Sequence, residues 1–109
     1  MDNHTTFETA WKLKEKGFPQ PSMNDDQIWY DKIGVPFKSN KFSNLNLKHW
    51  AYAPTPADIM AELTPDYFLM RDFPVKGVIY WQCKSEAKNY QTEKHETPAE
   101  ACALAFMDN

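Results

Sequence analysis

Few groups in this chain could do chemistry: Cys83, Cys102, His4, His49, His95 and fifteen carboxylates. A thiol becomes a nucleophile where a base or a helix N-terminus favours its thiolate. Cys83 or Cys102 could meet His95 if the segments that carry them pack together. However, Cys102 falls in the second turn of an apolar helical stretch, and Cys83 follows Trp81 on an inward-facing pattern. Both therefore read as buried, inert thiols. Two cysteines make neither a disulfide framework nor a zinc knuckle, and they suit a reduced, cytosolic protein. The histidines never recur at the three- or four-residue spacing that puts two ligands on one helix face. The carboxylates are spread evenly, so no acid–base pair stands out. Three glycines are too few for a phosphate-cradling loop. The sequence thus assigns no catalytic, cofactor-binding or metal-binding residue. An enzyme remains an alternative reading, which requires a pocket that gathers His95 or His49 with a carboxylate or thiol.

Binding chemistry is better represented. The chain has four Trp, five Tyr and seven Phe, more rings than a core of this size readily absorbs. Between residues 32 and 57 there are four lysines and no carboxylate. Tyr30, Trp50 and Tyr52 lie in or beside this stretch and are the candidate interaction surface, with the rings as anchors. The competing reading is a solvated loop whose rings are tucked into the core, since lysine is depleted at interface centres. The same lysines could serve a nucleic-acid accessory protein. Against that stand a net charge of −3 and a single arginine, Arg71. No run approaches the ~20 apolar residues of a membrane span. There is no apolar signal core either, which points to the cytoplasm and to no membrane partner.

These residues must be positioned by short elements. Phe7, Ala10 and Trp11 share a helical face, with Thr5 and Glu8 spaced as a capping box and Gly17 as the stop. Gln27-Ile28-Trp29-Tyr30 reads as a strand, and Lys48 to Tyr52 as its partner. Thr55-Pro56-Ala57-Asp58 and Thr97-Pro98-Ala99-Glu100 are two versions of one helix start. In each, threonine caps, proline takes the first helical position, and an acid sits at the positive helix end. Thr64-Pro65 ends the middle helix. Between the two starts, Tyr67 to Phe73 and Val75 to Lys84 read as strands, with Pro74 ending the first. Lys88 to Lys94 returns antiparallel across a turn that lacks tight-hairpin chemistry, so a longer loop or a bulge is expected. The expectation is a single α+β domain over residues 1–109. It has an antiparallel sheet of three to five strands and three short helices, in the order α-β-(β)-α-β-β-β-α. The repeated phrase is cap chemistry rather than an internal repeat.

Leu13-Lys14-Glu15-Lys16-Gly17-Phe18 resembles the opening helix of a group of small uncharacterised proteins encoded by bacteriophages and prophages of the Bacteroidota. Ala53-Pro54-Thr55 before a short helix and Thr97-Pro98-Ala99-Glu100-Ala101 at the last helix are similar to the same group. The resemblance implies the order of elements but brings no activity, cofactor or site residue. Residues and resemblance together give the expectation of a small non-enzymatic accessory protein. It would act by protein–protein interaction on a host or phage partner, inside the bacterial host, with homo-oligomerisation left open.

Overall fold

The computed structural model describes residues 4–21, 27–38 and 49–108. They fall into two compact units, His4–Pro54 and residues 55–108. Each combines helix with antiparallel sheet, so the α+β class holds. Among the described residues the strands, expected in one sheet of three to five, are divided between two sheets of three.

In the first unit, helix α1 (Phe7–Glu15) is capped by Thr6, whose hydroxyl accepts from the Thr9 N–H. Thr5, the expected cap, is instead fully buried and donates its own N–H to the Pro54 carbonyl at 3.1 Å. The stop at Gly17 is as expected. Its φ is +90°, and the Phe18 N–H reaches back to the Leu13 carbonyl at 2.9 Å. That closure is the Schellman pattern, and Leu13 and Phe18 are both buried. Strands β1 (Ile28–Tyr30), β2 (Pro36–Lys38) and β3 (Ala51–Tyr52) form a sheet in the order β2-β1-β3. The expected pairing of the first strand with the segment at Tyr52 is present, with Trp29 opposite Tyr52. Strand β2 is not legible in the sequence, because Gly34 and Pro36 read as breakers. It survives because it is an edge strand and Pro36 is its first residue, where a missing N–H costs no ladder bond. Gln20 joins loop to sheet: its amide donates to the Phe18 carbonyl, and its oxygen accepts from the Tyr52 N–H at 3.0 Å. The segment between β2 and β3, residues 39–48, lies outside the described residues.

In the second unit, Thr55 and Asp58 form a reciprocal capping box at the start of α2 (Pro56–Glu62). Thr97 caps α3 (Pro98–Met107) by accepting from the Glu100 N–H. Strands β4 (Tyr67–Val75), β5 (Val78–Ser85) and β6 (Tyr90–Gln91) lie in the order β4-β5-β6. Pro74 does not end β4. The strand continues to Val75 through a register irregularity between Asp72 and Val75. As an edge strand, β4 can absorb both the irregularity and a residue without an N–H. The longer loop expected before β6 is there: Glu86 to Asn89 form the turn, with Asn89 at φ +52°, and Ser85 pairs with Tyr90. Trp81 consequently lies opposite His95, to which it is bound by two backbone hydrogen bonds of 2.7 and 2.9 Å.

The core of this unit is built from Tyr67, Cys83, Ala101 and Ala105, with Met60, Leu63, Leu69, Trp81 and Tyr90 packed around them. The helices cover the half of the sheet that carries Tyr67 and Cys83. Tyr90 extends past this core to donate its hydroxyl proton to the Asp108 carboxylate at 2.6 Å, which ties the end of α3 to β6. Replacing Thr55 with Ala removes one side of the capping box. It should lower stability by about 1 kcal/mol, read as a lower urea midpoint at unchanged slope.

Candidate functional site

The candidate interaction residues from the sequence do not form a surface together. Tyr30 is 9% exposed and Tyr52 is 7% exposed. Tyr30 packs with Ala10, Ala51 and Ala53, and its ring meets Phe7 edge-on. Tyr52 stacks at a tilt on the fully buried Trp29. Both are core residues, because the first unit has few aliphatic side chains and fills its interior with rings. Trp50 is half-buried against Phe37, with ring centroids 5.0 Å apart. Lys14 donates to the Trp50 carbonyl and lies over Trp11. Burial, with the charge of Lys32 nearby, pulls the Lys14 ammonium below its ordinary pKa.

The two cysteines named for chemistry are likewise core residues. Cys83 and Cys102 meet between β5 and α3, both fully buried. The hydrogen bond to Cys83 and burial both raise the Cys102 thiol, which stays protonated and unreactive. His49 is exposed, and His95 is half-buried beside Trp81. Among the described residues, no three His, Cys, Asp or Glu are placed to hold a metal ion. No helix among them is long and apolar enough to cross a membrane.

An open cavity of about 280 Å³ lies at the β5–β6 turn, lined by Lys84, Ser85, Glu86, Asn89, Tyr90 and Gln91. Beside it, the Ser85 and Thr64 hydroxyls both donate to the Asp66 carboxylate. Lys88 donates to Thr64 at 2.7 Å and sits 4.6 Å from the centre of the Tyr67 ring. This resembles a hydrolytic cluster but lacks its chemistry. The hydrogen bonds from Ser85 and then Thr64 hold the Asp66 carboxyl below the usual carboxylate range, so it is a poor base for a serine proton. Ser85 is fully buried, and the cavity lining contains no histidine. The cluster instead locks the α2–β4 turn onto the end of β5.

The exposed side chains that remain unexplained lie on the β4–β5 hairpin. On one face, Phe68 and Met70 stand exposed on β4. On the helix-covered face, the cover stops short of the turn. Phe73 is 59% exposed and Ile79 is 44% exposed. Arg71 lies next to this end, its guanidinium 5.7 Å from the Phe73 ring centre and 5.8 Å from that of Trp81. Arg71, Trp81 and His95 stand directly opposite one another across three segments. Opposite residues of antiparallel segments share a face, so a guanidinium, an indole and an imidazole form one row. The sequence shows the alternation of β4 but not how far the helices reach, so this surface was not legible in it. The first unit has its own exposed aliphatics, Ile33 at 82% and Val35, on a turn fixed by the Asp31 carboxylate. That carboxylate accepts from the N–H groups of both.

The chain matches no family model, no curated protein and no solved structure.

Two outcomes follow from the buried groups. In the native state neither thiol should react with an aromatic disulfide reagent, whereas two thiols should titrate on unfolding in denaturant. Asp66 also contributes pH dependence. Its folded pKa is lowered, so its contribution is complete above the unfolded carboxylate value of about 3.9 and is lost as pH falls through the folded one. Chemical denaturation between pH 5 and pH 2 should therefore show a shallower loss of stability in Asp66→Asn than in the parent.

Proposed function

We propose that this chain is a small non-enzymatic protein that acts by binding another protein, using the open end of the β4–β5 hairpin. The observation that carries this reading is the exposure of Phe73 and Ile79 near Arg71, whose guanidinium lies 5.7 and 5.8 Å from the Phe73 and Trp81 ring centres. Side chains of this kind, apolar and aromatic with one arginine, dominate binding energy where proteins meet. They stand on paired strands rather than a loop, so little ordering entropy is lost when a partner docks. The buried thiols and the low-pKa Asp66 favour binding over catalysis. An accessory role of the type encoded by phages and mobile elements, exercised in the bacterial cytoplasm, goes with the likeness of the Leu13–Phe18, Ala53–Thr55 and Thr97–Ala101 segments to such proteins.

The test is comparative affinity capture from a bacterial host lysate, with partners identified by mass spectrometry. The parent chain should retain a defined protein, and the Phe73→Ser/Ile79→Ser double variant should lose it while keeping the parent circular dichroism. Equal capture by both proteins would rule this surface out.

A further inference from the structure

β4 is an edge strand nine residues long, and among the described residues no strand pairs with its outer side. Alternate residues of such a strand direct N–H and C=O groups away from the sheet. The regular register with β5 runs from Tyr67 to Asp72 and is broken before Val75. About six residues of β4 can therefore take up a further strand.

Charge decides what that strand should be. Asp72 is already bound to Lys94 at 2.7 Å, which holds its carboxyl below the usual range. Arg71 is exposed and has no carboxylate partner among the described residues. Its guanidinium sits 5.7 Å from the centre of the Phe73 ring and 5.8 Å from that of Trp81, on an exposed side chain. An exposed guanidinium without a carboxylate partner can give two parallel hydrogen bonds to one carboxylate. Lys76, exposed in the adjoining turn, adds a second positive charge.

We propose that the outer edge of β4 binds an extended, acidic segment of a partner protein as an added strand, and that Arg71 receives a carboxylate of that segment. This rests on the protein-binding reading above and specifies its ligand. A second copy of β4 fits less well. An antiparallel pair centred on Arg71 sets two guanidinium groups against each other. One centred on Met70 places Leu69 opposite Arg71 and leaves the cation unmatched. Phe68 and Met70 on one face and Phe73 on the other offer apolar contact to alternate side chains of the added strand, as strand addition requires.

The probe is a random nine-residue peptide library displayed on phage and selected against the full chain. Binding of the best peptides is then measured by fluorescence anisotropy. Selected peptides should be rich in β-branched residues and carry Asp or Glu. Replacing that acid with its amide, or Arg71 with Gln, should each weaken binding at least about tenfold, and the two losses together should be less than additive. Arg71→Lys should recover only part of the affinity. Methylating one edge-facing backbone nitrogen of the peptide should abolish binding, which side-chain docking alone would not do. Selection of helical or uncharged peptides, or an Arg71→Gln variant that binds them unchanged, overturns the proposal. So does a concentration-dependent dimer of the free chain that blocks the peptides, or capture of a single-stranded oligonucleotide at Arg71 in their place. If Phe73 and Ile79 still capture a protein in the Arg71→Gln background, only this inference falls and the protein-binding reading stands.

Discussion

The seating of α3 on β5 is the interaction on which the second unit depends. Every side chain that α3 buries is small: Ala99, Ala101, Cys102, Ala103 and Ala105. Small side chains bring a helix axis close to a sheet, and the packing there has no long group that could slide or repack. Closeness has a geometric cost. A ten-residue helix is only about 15 Å long, and a nine-residue strand is about twice that. The helix cannot cover the whole hairpin, and the part beyond Trp81 is left bare. The core and the proposed binding surface are thus two results of one fit.

The first unit meets the shortage of aliphatic side chains differently. Trp29 and Tyr52 fill its sheet, and polar side-chain atoms from outside the sheet complete the backbone pairing that strands of two or three residues leave unfinished. Gln20 serves Tyr52 in this way, and the Trp11 indole donates to the Asp31 carbonyl at 3.0 Å. Buried rings with a polar edge suit this purpose, because one side chain supplies both apolar area and a hydrogen bond.

Local chemistry was readable in the sequence wherever it acts over a few residues. Thr55 and Thr97 cap as their spacing requires, Gly17 stops α1, and the unfavourable Ser85–Ala87 sequence does give a longer loop. What depends on distant partners was not readable. Pro36 and Pro74 read as strand breakers because a single sequence does not show which strands are edges. Tyr30 and Tyr52 read as a surface because ring content alone does not distinguish a filled interior from a display. Arg71 entered only as the lone arginine weighing against nucleic-acid binding. Its stacking on Phe73 and Trp81 requires the β4–β5 register, which no local signal reports.

The open edge of β4 also carries a hazard. A strand that alternates large apolar residues and lacks a neighbour can template its own kind, the first step toward a fibril. Here a charge stands at the middle of the strand, and the register breaks after Asp72, near a proline that offers no N–H. Arg71 and the irregular end of β4 act as gatekeepers that hinder stacking of identical chains. A guanidinium is the charge best suited to do this while still admitting a different, acidic strand. Resistance to self-association and selectivity for the proposed acidic strand would then depend on the same side chain.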